Sequence, residues 1–392
     1  MKLISSVLGI VLIFKCSLLV RCQDVSSEEQ NLEDILKKFK PCSIGYCVPS
    51  NQCLNGVVNT DGENIVELRI NDYDDMIEVE IEPQADDSCD FLTTCCALKE
   101  GLQRGPPQQA DTGTANVEPV DLPPPSCGTN RPNGYVYRVK NDSIAQFGEF
   151  PWMAALLQRK QLLDKETLQY FCGGSLIHPQ VVLTAAHCVA ELSGLLENLV
   201  VRLGEWDTVT ENEPIIHQEY GIKKMIIHEN YVDRKFHNDL ALLIMEEAAE
   251  LNIHINTICL PSVDDNFDDQ RCLTSGWGKE DFNPNGKFSE ILKRVELPVI
   301  PRNQCKQMLK ATKLGLFFQL HKSFMCAGGE AGVDSCKGDG GSPLACKRDN
   351  QFVQAGVVAW GIGCGEADVP AAYVNVANFV DWISVKLLGE GI

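Results

Sequence analysis

Positive charge is scarce in this chain of 392 residues, which has 34 lysines and arginines against 54 aspartates and glutamates and a formal charge of −20. Much of the imbalance lies in residues 23–126, with 21 acidic and 6 basic side chains. Such a surface repels nucleic acid and anionic membranes, whereas it suits a basic protein or divalent cations. We therefore expect no nucleic-acid partner. For a single acidic run, such as residues 72–75, the alternative is that the side chains face only water and bind no partner.

Long apolar runs are lacking after residue 22. Residues 1–22 combine a basic start with an apolar core too short to span a bilayer, which is typical of a secretory signal peptide. We expect cleavage before Gln23 and a secreted, extracellular protein without membrane insertion. Of eighteen cysteines, sixteen then remain, and an even number in a secreted chain predicts a disulfide framework. No Cys/His spacing typical of zinc sites is present.

Composition divides the mature chain into four parts. An N-terminal segment (23–40) precedes a domain with six cysteines (41–97), a linker rich in Pro, Gly and Gln (98–126) and a large domain (127–392). So small a cysteine-rich domain buries little apolar area, and three disulfides would supply the stability that its core lacks.

Both domains show the short alternating patterns of β-strands. In the small domain, residues 65–70 and 76–82 alternate apolar and polar side chains around a turn, which predicts a hairpin. In the large domain, short β-branched and apolar runs are separated by turns, and only the tail at 378–388 has helical spacing. We predict an all-β domain with a closing helix.

Five motifs of the large domain occur in one order. They are Cys-Gly-Gly-Ser-Leu at 172–176, Leu-Thr-Ala-Ala-His-Cys at 183–188, Asn-Asp-Leu-Ala-Leu-Leu at 238–243, Gly-Trp-Gly at 276–278 and Asp-Ser-Cys-Lys-Gly-Asp-Gly-Gly-Ser-Pro at 334–343. Together they resemble the motif series of the chymotrypsin and trypsin family. The resemblance implies a chymotrypsin-like double six-stranded β-barrel, with the active-site cleft between the two barrels.

The resemblance also assigns the catalytic positions. His187 matches the general base and Asp239 the carboxylate that orients it. The nucleophile position, however, is Gly340, because Gly-Asp-Gly-Gly-Ser-Pro stands where the family has Gly-Asp-Ser-Gly-Gly-Pro. Ser342 lies two residues beyond Gly340, where the chain has left the turn that presents the nucleophile, so we expect its oxygen to lie several ångströms from His187. The chain is therefore predicted to be an inactive serine protease homologue.

Two further regions of the family pattern have changed. Asp334 matches the aspartate with which trypsin-like enzymes select Arg or Lys, and Gly361 and Ala371 match the wall of that S1-like pocket. A methyl group at Ala371, where the family has glycine, narrows the pocket. The family's activated N-terminus would be Val139, yet the Ile-Val-Gly-Gly sequence is absent and a glycosylation sequon begins at Asn141.

Cysteine pairings are implied by resemblance alone, since six cysteines allow fifteen connectivities. The six upstream cysteines resemble a clip domain. The implied disulfides are Cys42–Cys95, Cys47–Cys89 and Cys53–Cys96 in the clip domain, Cys127–Cys259 as the tether of the linker, and Cys172–Cys188, Cys272–Cys346, Cys305–Cys326 and Cys336–Cys364 in the protease-like domain.

A calcium loop is implied after the sequence Arg-Leu-Gly at 202–204. Glu205, Asp207, Thr210 and Glu213 match the spacing of the calcium loop of trypsin-like and clip proteases. Calcium takes hard oxygen ligands, here the carboxylates of Glu205 and Glu213 with the carbonyls of Asp207 and Thr210. The alternative is an acidic surface loop without a metal.

A clip domain joined to a protease domain without its nucleophile resembles the clip-domain serine protease homologues of arthropods. The resemblance implies a haemolymph cofactor of melanisation that an upstream clip protease cuts and that then assembles with phenoloxidase or prophenoloxidase, with homo-oligomer formation left open. We expect the cut between Arg104 and Gly105, in the exposed linker. Two alternatives remain: a pattern-recognition or cell-adhesion protein, and an active protease with an unusual nucleophile.

Overall fold

The computed structural model describes two separate groups of residues. They are the short N-terminal strands and the ranges 127–129, 143–162, 165–210, 213–279 and 288–392. Internal contacts divide the chain into two compact units, Met1–Thr60 with Val79–Gln108 and Asp61–Glu78 with Gln109–Ile392. No helix among the described residues is long and apolar enough to cross a membrane.

The described residues of the first unit form four short strands. They are β1 (Tyr46–Pro49), β2 (Cys53–Leu54), β3 (Val57–Val58) and β5 (Thr93–Cys96), while β4 (Glu67–Leu68) belongs to the second unit. Strand β1 pairs antiparallel with β5, and β2 pairs with β3. Cys53 is disulfide-bonded. The three clip-domain pairings involve side chains outside those that the structure describes, so they stay predictions.

The first barrel of the second unit is a closed ring of six antiparallel strands. They are β6 (Met153–Leu162), β7 (Lys165–His178), β8 (Val181–Thr184), β9 (Leu199–Leu203), β10 (Gln218–Ile227) and β11 (Ala241–Met245), in the order β10-β11-β8-β7-β6-β9. Because a small barrel is filled by side chains, its strands carry apolar runs. All five residues of β11 are buried, as are all four of β8.

The second barrel also has six antiparallel strands. They are β12 (Arg271–Gly276), β13 (Lys293–Ile300), β14 (Phe324–Gly328), β15 (Pro343–Arg348), β16 (Gln351–Gly361) and β17 (Pro370–Asn375), in the order β15-β12-β13-β14-β17-β16. Pairing between β15 and β16 closes the ring, and β4 adds to β16 as a seventh strand. The predicted double barrel is confirmed.

Helices are few in the described part of the chain. They are α1 (Ala186–Val189), α2 (Arg302–Lys310) and α3 (Val380–Glu390), with short 3₁₀ turns at Ala190–Leu192, Leu196–Asn198 and Val376–Phe379. The C-terminal helix confirms the prediction from the tail. It ends at Glu390 and is capped by Gly391, whose φ of 75° is the left-handed conformation that glycine adopts at a helix C-terminus.

Five disulfides cross-link the described residues of the second unit. They join Cys127–Cys259, Cys172–Cys188, Cys272–Cys346, Cys305–Cys326 and Cys336–Cys364, which are the pairs implied by the resemblance to trypsin. Cys172–Cys188 joins β7 to the helix that carries His187, and Cys336–Cys364 holds the segment just before Gly340. The bridges therefore anchor both sides of the catalytic position.

Candidate functional site

His187 and Asp239 form a buried pair. His187 lies on α1, and its Nδ1 is 2.6 Å from Asp239 Oδ2, while its main-chain N–H donates to Asp239 Oδ1 at 2.8 Å. The side chains are 1% and 0% exposed. Asp239 follows Asn238, whose positive φ of 54° turns the chain just before strand β11. The orienting half of a serine protease triad is thus intact, because the carboxylate fixes the tautomer and the orientation of the imidazole ring.

The third position of the triad contains no side chain. Gly340 is buried, and its carbonyl oxygen accepts a hydrogen bond from the N–H of Gly173 at 2.8 Å. Gly341 has a φ of 80°, and a Cβ there would clash with Gly173 O and Thr184 Oγ1. The turn therefore packs directly on strand β7, and only glycine fits at Gly341.

Ser342 does not replace the missing nucleophile. It is 0% exposed, and a Cβ built on Gly173 would clash with its Oγ, so the hydroxyl faces the main chain of β7. Its Oγ has no hydrogen-bond partner among the described residues. A nucleophile must lie within hydrogen-bond reach of its base. Ser342 therefore has no base hydrogen-bonded to its hydroxyl, and a substrate cannot reach that hydroxyl.

Asp339, the residue before Gly340, is held by main-chain donors. Its Oδ1 accepts from Gly278 N at 2.9 Å and its Oδ2 from Cys336 N at 2.8 Å. Tyr170 lies beside it and donates to the carbonyl oxygen of Gly338 at 2.7 Å. Burial, followed by the charge of Asp339, raises the pKa of Tyr170 well above its usual value, so the phenol stays a neutral donor.

Sequence reasoning missed both Tyr170 and Gly278 as supports of this turn. Tyr170 lies 168 residues before the carbonyl that it contacts, so no local spacing links them. Tyr170 also packs against Trp277, with ring centroids 5.6 Å apart. The only sequence signal is position, because Tyr170 precedes the first of the five motifs and Gly278 ends the fourth.

The predicted S1-like residues are buried around two neighbouring strands. Asp334 is 8% exposed and its Oδ2 accepts from Gly365 N at 3.1 Å. Ala371 is buried on β17 opposite Ala327, and Gly361 ends β16. Asp334 lines a cavity of about 470 Å³. The same cavity is also lined by Asp339 and by the basic residues Lys279, Lys293 and Arg294.

The predicted calcium loop brings two of its carboxylates together. Ligand atoms of Glu205 and Glu213 lie within 4.8 Å of each other and of a nitrogen of His217, which the sequence analysis did not include. Arg202 Nη1 donates to Glu205 Oε2 at 2.8 Å. Burial, then the nearby Glu213, raises the pKa of Glu205 to about 7. The carboxylates of Glu205 and Glu213 thus concentrate negative charge, which the guanidinium of Arg202 offsets in part.

Asp207 and Thr210 shape the same loop. The carboxylate of Asp207 accepts from Val209 N at 3.1 Å and from Thr210 Oγ1 at 2.8 Å. The N–H of Asp207 donates to Glu213 Oε1 at 3.1 Å. The side chain of Asp207 therefore stabilises the turn, which leaves main-chain carbonyls as the ligands that it and Thr210 could offer a cation.

Several predicted sites lie outside the described residues. They are the cleavage site Arg104–Gly105, the sequon at Asn141, the unused N-terminus at Val139 and the acidic run 72–75. These stay predictions.

Comparison with known proteins agrees with this geometry. Residues 140–383 match the Trypsin family, and residues 37–97 match the Serine protease Clip domain PPAF-2 family. The chain is 38% identical over 372 residues to Inactive CLIP domain-containing serine protease A8 of Anopheles gambiae, covering 93% of this chain and 94% of that protein. It is 44% identical over 293 residues to Phenoloxidase-activating factor 2 of Galleria mellonella, covering 70% of this chain and 95% of that protein.

A second mosquito relative is also named as inactive. Inactive CLIP domain-containing serine protease A28 of Anopheles gambiae is 36% identical over 371 residues, covering 93% of both chains. The matches extend across the small N-terminal domain and the two barrels. The chain therefore belongs to the trypsin-like serine protease family, as a non-catalytic homologue with a clip domain.

Proposed function

We propose that the protein is a secreted cofactor of prophenoloxidase activation, and that Gly340 is what makes it non-catalytic. The observation that carries the proposal is an intact His187–Asp239 pair beside a nucleophile position without a hydroxyl. A protease-like domain that keeps its fold but lacks its nucleophile can act only by binding other molecules. The relative named Phenoloxidase-activating factor 2 supports the choice of cascade, and residues 1–22 support secretion.

The partners of such a cofactor are phenoloxidase or prophenoloxidase and an upstream clip protease. The net acidity of residues 23–126 suits a basic surface on a partner. Association into a homo-oligomer after cleavage fits the same role. Recognition of microbial surfaces or cell adhesion is the second function, which needs no phenoloxidase.

Processing in the linker is expected to switch the cofactor on. In a mixture of prophenoloxidase, its activating protease and this protein, we expect phenoloxidase activity with protein that has been cut by a trypsin-like enzyme. N-terminal sequencing should place the new end at Gly105. Arg104→Gln should abolish both the cut and the activity, because the protease requires a basic residue before the scissile bond.

Lys99→Gln is the matched control, since it removes the other basic residue of the linker and should leave cutting and activity unchanged. A new N-terminus elsewhere would reject Arg104 as the site. Activity that is the same with intact, cut or no protein would reject the cofactor role, and binding to peptidoglycan or β-glucan would then favour recognition.

We also propose that the loop with Glu205 and Glu213 binds calcium. Two carboxylates with ligand atoms inside 4.8 Å of each other can bridge one hard cation. The imidazole of His217 adds a nitrogen, which suits transition metals better than calcium. Bound calcium would neutralise the carboxylates, and the residues that would hold it are Glu205 and Glu213 with carbonyls of Asp207 and Thr210.

Calcium is expected to raise the melting temperature at pH 7.5 by about 5–10 °C at a hundred times its Kd. Glu205→Gln should remove the response, whereas Asp207→Asn keeps its main-chain carbonyl and should retain most of it.

Without metal, the raised pKa of Glu205 means that the native state binds its proton more tightly than the unfolded state. Stability should therefore rise as pH falls from about 7 towards 5, and Glu205→Gln should flatten that rise.

Scanning fluorimetry with calcium, zinc or chelator measures all of these effects. A larger shift with zinc than with calcium would assign the site to a transition metal through His217. Equal melting curves in every condition would leave an acidic loop without a metal.

A further inference from the structure

Strand β4 lies outside the closed ring of the second barrel. The six strands β12 to β17 close on themselves through β15 and β16, and β4 pairs only with the end of β16. The register places Leu68 opposite Trp360 and Glu67 opposite Gly361, antiparallel. Residues 61–78 belong to the same compact unit as the barrels, although they lie between cysteines of the predicted clip domain.

The pairing uses the main chain of both segments. In an antiparallel pair, neighbouring positions alternate between a pair that exchanges two hydrogen bonds and one that exchanges none. Trp360 also pairs with Ala372 on β17, whereas the pairing described for Gly361 is with Glu67. Gly361 is therefore at an edge of β16 that an added strand must cover, since an open edge offers unpaired N–H and C=O groups.

This edge adjoins the S1-like pocket. Gly361 is one of its predicted wall residues, and the N–H of Gly365, four residues later, donates to Asp334. Trp360 is 1% exposed and packs edge-on against Phe318 and Phe324, with ring centroids 6.0 Å and 5.6 Å away. Because Trp360 is packed in this way, the main chain at this edge is held in the position in which it pairs with an added strand.

We propose that residues 67–68 act as an intramolecular ligand that masks a peptide-binding edge at Trp360–Gly361. Strand β4 adds to the edge of β16 within the same chain, and in strand addition the main-chain hydrogen bonds supply the affinity. Two paired residues form few hydrogen bonds, so the contact relies on being intramolecular, because tethering raises the effective concentration of one segment at the other. An extended segment of a partner must displace β4 to bind there. The proposal does not depend on phenoloxidase.

Proline at both positions of β4 tests the masking. In the full-length protein, Glu67→Pro with Leu68→Pro removes every N–H that β4 can donate to β16, so that β4 no longer stays paired and its carbonyls no longer protect the Gly361 amide. Hydrogen exchange at the Gly361 amide should then accelerate at least about tenfold. Glu67→Ala with Leu68→Ala is the matched control, because it removes both side chains and keeps both N–H groups, and its exchange at Gly361 should match the wild type.

A fluorescent peptide of residues 64–70 measures the unmasked edge directly. Its apparent Kd equals the intrinsic Kd divided by the fraction of molecules with an open edge. We expect the double proline variant to bind the peptide about tenfold more tightly than the wild type, and the double alanine variant to bind it like the wild type. A peptide with prolines at positions 67 and 68 should bind neither.

Two results would overturn the proposal. One is equal exchange at Gly361 in wild-type and double proline proteins, and the other is equal peptide affinity for both. If the proline variant is not secreted, the wild type decides: slow exchange at Gly361 supports masking, and exchange at the rate of an open main chain rejects it.

Discussion

The protein is expected to leave chromogenic Arg and Lys substrates uncut and to take up no fluorophosphonate label. In subtilisin, removal of the serine lowers turnover about 10⁶-fold, even with the rest of the site in place. Gly340 has no side-chain hydroxyl to attack a carbonyl, and Ser342 is fully buried against the main chain of Gly173. Among the described residues, no hydroxyl group lies within hydrogen-bond reach of His187 to act as the nucleophile.

His187→Ala is the control that identifies the source of any residual hydrolysis. Activity that survives this substitution belongs to a contaminating protease, whereas activity that the substitution abolishes would contradict the assignment of Gly340. The same variant should retain full cofactor activity in the reconstituted mixture, because a protein that acts by binding does not use its base. Both intact and linker-cut protein are to be assayed, with active trypsin as the positive control.

The largest loss of stability is expected from Arg294→Met. Arg294 Nη1 lies 2.6 Å from Glu149 Oε1, and Glu149 is 1% exposed. The other carboxylate oxygen accepts from Gln146 N at 2.8 Å. Removing the guanidinium takes the Arg294 charge away from a buried carboxylate, and breaking a buried ion pair costs about 3–5 kcal/mol. In a domain of this size, that lowers the melting temperature by about 10 °C.

Arg271→Met is the matched control, because Arg271 forms its ion pairs with Glu296 and Glu330 on the surface. Exposed pairs contribute about 0–1 kcal/mol, so this variant should melt within a few degrees of the wild type. Equal losses for both variants would reject the special role of the buried pair.

The pH dependence of Arg294→Met separates lost charge from lost packing. Burial already raises the pKa of Glu149 in the native protein, while Gln146 and Arg294 lower it. Without Arg294 the pKa rises further, so the native variant binds the proton more tightly than its unfolded state. Its stability deficit should therefore shrink as pH falls from 7 towards 5. A deficit that is the same at every pH would indicate lost packing instead.

The family, the barrels and the triad positions could be predicted from sequence because their signals are local. His187 and Asp239 each lie in a short motif, and the change to Gly340 is read from one six-residue stretch. The C-terminal helix follows from its own spacing. Five disulfides occur at the pairs implied by resemblance, which no spacing argument could have selected from the many possible connectivities.

Other features of the site depend on contacts between distant segments, and only the tertiary structure decided them. Asp339 receives main-chain donors from two different segments, and Tyr170 donates to a carbonyl 168 residues away. The alternating pattern at 65–70 predicts a strand and a hairpin partner at 76–82; the structure describes β4 within it, paired with β16, while 76–82 lies outside the described residues.

The sequence by itself determined which residue types stand at the catalytic positions, because a missing hydroxyl needs no coordinates to be recognised. The tertiary structure decided what those residues face: Ser342 turns towards Gly173, and Gly361 pairs with Glu67. The physical reason is that strand alternation specifies which side chains share a face but leaves the choice of neighbouring strand open. That choice is made by packing and main-chain pairing across the whole fold.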